Sequence, residues 1–159
     1  MTLDTNVVGD TEVLSCARSI GADIAVVTVT QRELENTDFA IHLEPLDAPV
    51  NETGVWNEGR WGMGVWGGRG SRGVLDRILA IITSGSFPKD RSNLSAGQRR
   101  QLRDGIILEA HVREGRDILV SNDERAFIRH GKGKQLCESF GIRVLTAPEF
   151  KGWVAQQTR

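Results

Sequence analysis

The sequence predicts an α/β domain with a mainly parallel sheet and helices on both of its faces. Three observations carry this. The apolar runs "DIAVVTVT" (23–30) and "DILVSN" (117–122) are continuous rather than alternating, the pattern of strands buried on both faces of a parallel sheet. Stretches with helical apolar spacing lie between the strand-like runs. The resulting order, β-α-β-α-(loop)-α-α-β-α-β-α, is the alternation from which parallel sheets are built.

The elements follow in order. Residues 2–4 read as a short strand. Residues 11–20, "TEVLSCARSI", place Val13, Leu14, Ala17 and Ile20 on one helical face, and Gly21 stops the helix. The run 23–30 is the second strand, and "QRELENTDFAIHL" reads as a helix starting at Thr30. Residues 45–73 break the pattern with a Gly- and Trp-rich stretch. "VLDRILAIITSG" is helical, with apolar positions 74, 75, 78, 79, 81 and 82. Ser95 and Gln98 form a capping box for a long helix over about 96–114, which Gly115 ends. Residues 117–122 are the third strand, and a helix follows from about 124. "GIRVLTAPEF" (141–150) is a fourth strand that turns into a short C-terminal helix.

A chain of 159 residues fits one domain with its own core, without disulfide or metal staples. The boundaries read as a single domain over 1–150, with an insertion at about 45–73 and a tail over 151–159. Cys16 and Cys137 stand far apart in no metal-type spacing and read as free thiols of a reducing compartment. No apolar run approaches the ~20 residues of a membrane span, and the N-terminus does not read as a signal peptide. The expected location is cytoplasmic, with no membrane partner.

Net charge is −1, but its distribution is uneven. Residues 1–58 carry 11 acids and 2 bases, whereas 59–104 carry 9 bases and 3 acids. One surface of such a domain can bind both a cation and a polyanion. Charge spread over a solvated surface is the other reading.

In doubly wound sheets, sites lie beyond the carboxyl ends of the strands. Four acids fall at such places. Asp4 ends the first strand and Asp123 the third. Glu33 lies just past the second strand, and Asp104 sits in the long helix that leads into the third. Converging carboxylates repel one another unless a cation lies between them. A hard divalent ion, Mg²⁺ or Mn²⁺, takes such oxygen ligands and activates water against a phosphodiester. Each acid also has a structural reading. Asp4 suits an Asx-turn, Glu33 a capping box with Thr30, Asp104 a surface pair with Arg100, and Asp123 a helix cap.

The chain resembles PIN-domain nucleases, small metal-dependent ribonucleases that include the toxins of VapBC-type toxin–antitoxin systems. The resemblance rests on "LDTNVV", on "VVTVTQREL", on "RDGIILEAHVREGRDILVSNDERAF" and on "GIRVLTAPEF", in that order. It covers roughly residues 1–40 and 95–150. It implies a three-layer α/β/α sandwich around a central, mainly parallel sheet of four or five strands. It also implies a Mg²⁺ or Mn²⁺ site at one sheet edge. By position, Asp4, Glu33, Asp104 and Asp123 look like the family's acidic quartet, and Asn6 and Ser121 like the residues that orient it. Asp117 and Glu35 are the nearest competitors. Asp117 opens a strand and belongs at the opposite edge, and Glu35 points about 200° away from Glu33 on a helix.

The insertion departs from the family pattern. Trp56, Trp61 and Trp66 recur every five residues among glycines, which is neither a helical nor a strand repeat. Three readings stay open: stacking on unpaired bases with Arg60, Arg69 and Arg72 on phosphates, packing on the chain's own helices, or a partner interface. Arg99, Arg100 and Arg103 flank Asp104 and are the candidate phosphate ligands, with a solvated helix face as the alternative. His42, His111 and His130 are isolated and carry no expected catalytic role.

The expected function is a metal-dependent endoribonuclease acting on RNA. It would be a homodimer and, beside a small antitoxin protein, a toxin. A PIN-like binding or regulatory module that works through a protein partner is the rival reading. A DNA-acting nuclease on the same fold is a third.

Overall fold

The computed structural model describes residues 1–43, 46, 49–55, 58, 64–65 and 71–157. Trp56, Trp61, Trp66, Arg60 and Arg69, which carry the readings of the insertion, lie outside the described residues.

The chain is a mixed α/β fold with parallel strands. Its elements in order are β1 (Thr2–Leu3), α1 (Thr11–Ser19), α2 (Thr28–Leu34), β2 (Glu52–Thr53), β3 (Gly64–Val65) and α3 (Ser71–Ile82). There follow α4 (Ala96–Arg113), β4 (Ile118–Val120), α5 (Glu124–Phe127), α6 (Lys132–Phe140), β5 (Arg143–Leu145) and α7 (Ala147–Gln157). Strands β1, β4 and β5 form a three-stranded parallel sheet in that order, and β2 and β3 form a separate parallel pair. Thr2 and Leu3 pair with Leu119 and Val120. Val120 in turn pairs with Leu145.

Successive strand residues point to opposite faces, and the core follows that rule. Leu119 packs in one apolar cluster with Ile78 and Leu79 of α3, Leu102 and Ile106 of α4, and Leu136 of α6. Val120 packs in the other with Val13 and Leu14 of α1 and Phe150 and Val154 of α7. Each face of the sheet therefore carries its own helical packing. Phe127 and Phe150 are fully buried, and each contributes about 2–3 kcal/mol of apolar transfer.

Among the described residues the main sheet has three laddered strands, fewer than the four or five that the resemblance implies. The run 23–30 gives only two isolated bridges, Thr2 with Ala25 and Val27 with Val50. Its second half is helical, because α2 begins at Thr28 with Thr28, Val29 and Thr30 all buried. Burial of β-branched residues satisfies a helix packed on the core as well as a strand, so tertiary context overrides propensity here. The helix expected at Thr30 thus starts two residues earlier. Its N-cap is Val27, which makes no side-chain cap bond, so the Thr30–Glu33 capping box does not form. The residues after α2 turn through a 3₁₀ segment, Asp38–His42.

The long helix matches its expected form. The side chain of Ser95 accepts from the Gln98 backbone while the Gln98 side chain accepts from the Ser95 backbone. Next to Asp104, Gly105 lets α4 touch α3: a Cβ there would lie 2.8 Å from Leu79 Cδ2 and 3.2 Å from Leu75 Cδ1. The helix expected from about 124 is broken. His130 (φ 59°) and Gly131 (φ 76°) adopt left-handed backbone between α5 and α6. Residues 151–157, read as a tail, continue α7, because Val154 is buried against α1 and β1. Among the described residues no helix is long and apolar enough to cross a membrane.

Candidate functional site

The sheet places Asp4 and Ser121 side by side. Asp4 follows β1 and its N–H donates to the Val120 carbonyl (3.0 Å); Ser121 follows β4 and its N–H donates to the Leu145 carbonyl (3.0 Å). Both residues therefore sit at the carboxyl ends of adjacent parallel strands, where ligand sites of such sheets lie.

Asp4 is only 5% exposed, and three donors hold its carboxylate. The Thr5 N–H donates to Oδ1 at 2.8 Å. Asn6 Nδ2 and Ser121 Oγ both donate to Oδ2, at 2.8 and 2.6 Å. Asn6 is fixed in turn, since its Oδ1 accepts the Asn122 N–H at 2.9 Å. Asn6 and Ser121 thus stand where a pair orienting Asp4 would stand.

The other three acids arrive from separate elements. Glu33 lies on the last turn of α2, and its Oε2 accepts the Thr5 hydroxyl at 2.6 Å. Asp123 is the N-cap of α5: its Oδ1 accepts the Ala126 N–H at 2.8 Å, and its own N–H donates to Ser121 Oγ at 3.1 Å. The structural reading of Asp123 as a cap therefore describes one of its oxygens. Asp104 lies mid-way along α4, and no hydrogen bond reaches its side chain among the described residues.

Electrostatics tie the four together. Burial pushes the Asp104 carboxyl up to about 8, and the charges of Asp4, Asp123 and Glu33 push it the same way, against Arg100. Burial likewise raises Asp4. Its bonds from Ser121 and Thr5 oppose that rise, and the charges of Glu33 and Asp123 add to it. Each carboxyl group is thus within the field of the others.

The competitors lie elsewhere. The Asp117 carbonyl accepts the Arg143 N–H at the start of β4, and its charge acts on the Met1 ammonium, so it sits at the amino end of the sheet. Glu35 is the C-cap of α2. His111 is buried under β1 with Nδ1 2.9 Å from Thr2 Oγ1.

Asp4, Glu33, Asp104 and Asp123 are all carboxylates, the oxygen donors that Mg²⁺ and Mn²⁺ prefer. Among the described residues no three His, Cys, Asp or Glu side chains stand close enough to hold a metal ion together. The arrangement fits an ion that keeps several waters and is held by one or two carboxylates, the usual habit of Mg²⁺.

Two of the expected phosphate ligands are already engaged. Arg99 Nη1 pairs with Glu58 Oε1 at 2.8 Å, and Arg103 Nε with Glu58 Oε2 at 3.2 Å. Arg103 also reaches Glu33 at 3.8 Å. Glu58 belongs to the insertion, and its side chain is 3% exposed. Its backbone carbonyl accepts Arg32 Nη1, whose Nη2 pairs with buried Glu52 at 2.6 Å. The insertion is therefore anchored to α2 and α4 by ion pairs beside the acids. Arg100 is not part of this network. It faces a partly open cavity of about 410 Å³ that Asp104 and Asp123 also line.

Sequence reasoning passed over Thr5 and Glu58. Thr5 sits inside the "LDTNVV" stretch between two assigned residues, and its hydroxyl links Asp4's turn to Glu33. Glu58 had no local signal, because its partners lie 41 and 45 residues away. Comparisons with protein-family models, with curated proteins and with solved structures gave no match to this chain.

Proposed function

We propose that the protein is a Mg²⁺- or Mn²⁺-dependent endoribonuclease of the PIN type, with the three-layer α/β/α core that this implies. The observation that carries the reading is the triple-donor hold on Asp4 at the junction of β1 and β4, with Glu33, Asp104 and Asp123 inside its field. A bound divalent cation would supply charge neutralisation at the phosphate and activation of the attacking water. One or two carboxylates of the set Asp4, Asp104, Asp123 and Glu33 would hold it, with water filling the remaining positions. Thr5, Asn6 and Ser121 fix Asp4 in one rotamer, so no reorganisation is needed when substrate arrives. Burial of Asp4 excludes competing water from one side of the centre. The antitoxin partner and the homodimer belong to the same reading.

The test is cleavage of a labelled single-stranded RNA with Mg²⁺ or Mn²⁺, and then with EDTA. Asp4→Asn and Asp123→Asn should each cost at least about 100-fold in rate, the scale of losing a preorganised charged group. Wild-type rates in either variant would sink the site assignment. A single-stranded DNA of the same sequence separates the DNA-acting reading. One observation favours the rival binding module: Arg99 and Arg103 are spent on Glu58 rather than left open. Absence of cleavage with both metals would decide for it.

A further inference from the structure

The cavity beside the acids has a composition that the metal reading alone does not account for. It is about 410 Å³, partly open, and bounded by the outer face of α4, by α5 and by the first turn of α6. Asp104 and Asp123 belong to its wall, but so do Arg100, Arg125 and Lys132. Arg100 and Arg125 have no ion pair among the described residues, in contrast to Arg32, Arg99 and Arg103. Lys132 Nζ donates to the backbone carbonyl of Arg125 at 2.8 Å, and both residues line the same cavity. Ammonium and guanidinium groups have donors to spare after one such bond. Unpaired cations around a concave surface mark an anion site.

The rest of the lining is suited to more than an inorganic anion. Ile82 and Ala126 give an apolar patch, and Gln101 offers an amide with no partner among the described residues. Gly97, in the first turn of α4, has nothing within 4 Å of where a Cβ would stand, so a ligand can approach the N-terminal amides of an 18-residue helix. The volume falls in the range of small-ligand sites. It is large enough for one nucleotide with its base turned out and too small for a stacked duplex. Recognition of a splayed-out base is the habit of single-strand binders.

We propose that this cavity seats the nucleotide next to the cleaved phosphate of a single-stranded RNA. Arg100, Arg125 and Lys132 hold the backbone, and Gln101 and the Ile82–Ala126 patch take the base. This rests on the nuclease reading above, and it moves the substrate contacts from Arg99 and Arg103 to Arg125 and Lys132.

The probe is a fluorescein-labelled 12-nucleotide single-stranded RNA, titrated by anisotropy in EDTA, with matched single-stranded DNA and duplex RNA as further arms. Arg125→Ala and the double variant Arg125→Ala/Lys132→Gln are compared with Lys134→Ala, whose ammonium faces Glu138 on the same helix. The double variant should bind about 10-fold more weakly or worse, with a salt dependence flattened by about 0.7 per lost phosphate contact. Lys134→Ala should stay within about 2-fold. Exposed Arg125→Glu, with an unchanged melting temperature, guards against misfolding of the double variant. In the cleavage assay the same variants should raise KM more than they lower kcat. If wild type cleaves RNA and the double variant binds like wild type, the subsite is wrong and the nuclease reading stands. Binding that depends on Arg125 without cleavage keeps the subsite and removes the chemistry. Equal binding of duplex and single strand, or tighter binding of DNA, overturns the single-stranded RNA assignment. A wild type that neither binds nor cleaves overturns both.

Discussion

Replacing Asp104 by Asn should make the metal-free protein more stable at neutral pH, and the gain should vanish in acid. In the fold its carboxyl is pushed from the usual 3.8 to about 8, first by burial and then by Asp4, Asp123 and Glu33. A group raised in this way contributes stability that is full below its unfolded value and is lost as pH rises through its folded one. The loss therefore runs from pH 3.8 to about 8. At pH 7 roughly three pH units of it have accrued, which at ~1.4 kcal/mol per unit is about 4 kcal/mol. Asp104 is coupled to Asp4, so not all of that cost belongs to Asp104 alone. Asp104→Asn should then gain about 2–4 kcal/mol at pH 7 in EDTA, a rise of about 5–12 °C in melting temperature for a chain of this size. At pH 4.5 the gain should shrink to about 1 kcal/mol. Thermal and urea melts at both pH values measure it. Equal or lower stability at pH 7, or a gain that does not change with pH, would refute the electrostatic account of the site. Millimolar Mn²⁺ should reverse the order by stabilising wild type more than the variant.

Three other outcomes follow from the same geometry. Gly105→Ala puts a Cβ 2.8 Å from Leu79 and should cost about 1–3 kcal/mol by forcing α3 from α4, read from urea midpoints. Glu58→Gln leaves Arg99 and Arg103 facing each other without a carboxylate and should cost about 1–3 kcal/mol. Limited proteolysis of that variant should show faster cutting within residues 49–70. Burial holds the His111 imidazole down to about 3, helped by the positive charges of the N-terminus and Arg116. The unfolded chain therefore takes up a proton that the fold refuses, and stability falls by up to ~1.4 kcal/mol per pH unit from about 6.5 down to about 3. A His111→Gln variant should show a flatter acid limb in urea midpoints between pH 6.5 and 4.5, and an unchanged slope would rule the histidine out.

How much of this was legible in the sequence depends on where each signal is written. Asp4, the Ser95–Gln98 capping box and the strand through Leu119 carry their own local pattern, and they form as expected. The run at 23–30 does not, because β-branched residues are compatible with any buried backbone. Only packing decides that Thr28 starts a helix. The break at His130–Gly131 hides in a sequence without proline, where two successive left-handed residues make it. At the site, the acids could be ordered from strand ends, and Asn6 and Ser121 from the family resemblance. Which arginines are free could not. That depends on Glu58, an acid with no periodic or motif context, folding back from the insertion onto α4.

The bond between Ser121 and Asp4 joins residues 117 positions apart, and β1 has its ladder partner in β4, with a single bridge to Ala25 on its other side. The entropy of closing so long a loop is recovered only when that pairing forms. During synthesis, Asp4 therefore leaves the ribosome with Thr5 and Asn6 beside it but long before Ser121 exists to complete its hold. The acid centre cannot assemble until the chain has been made through Asp123, about three-quarters of its length. A ribosome-bound fragment that stops before β4 would carry Asp4, Glu33 and Asp104 and still lack the geometry that brings them to bear.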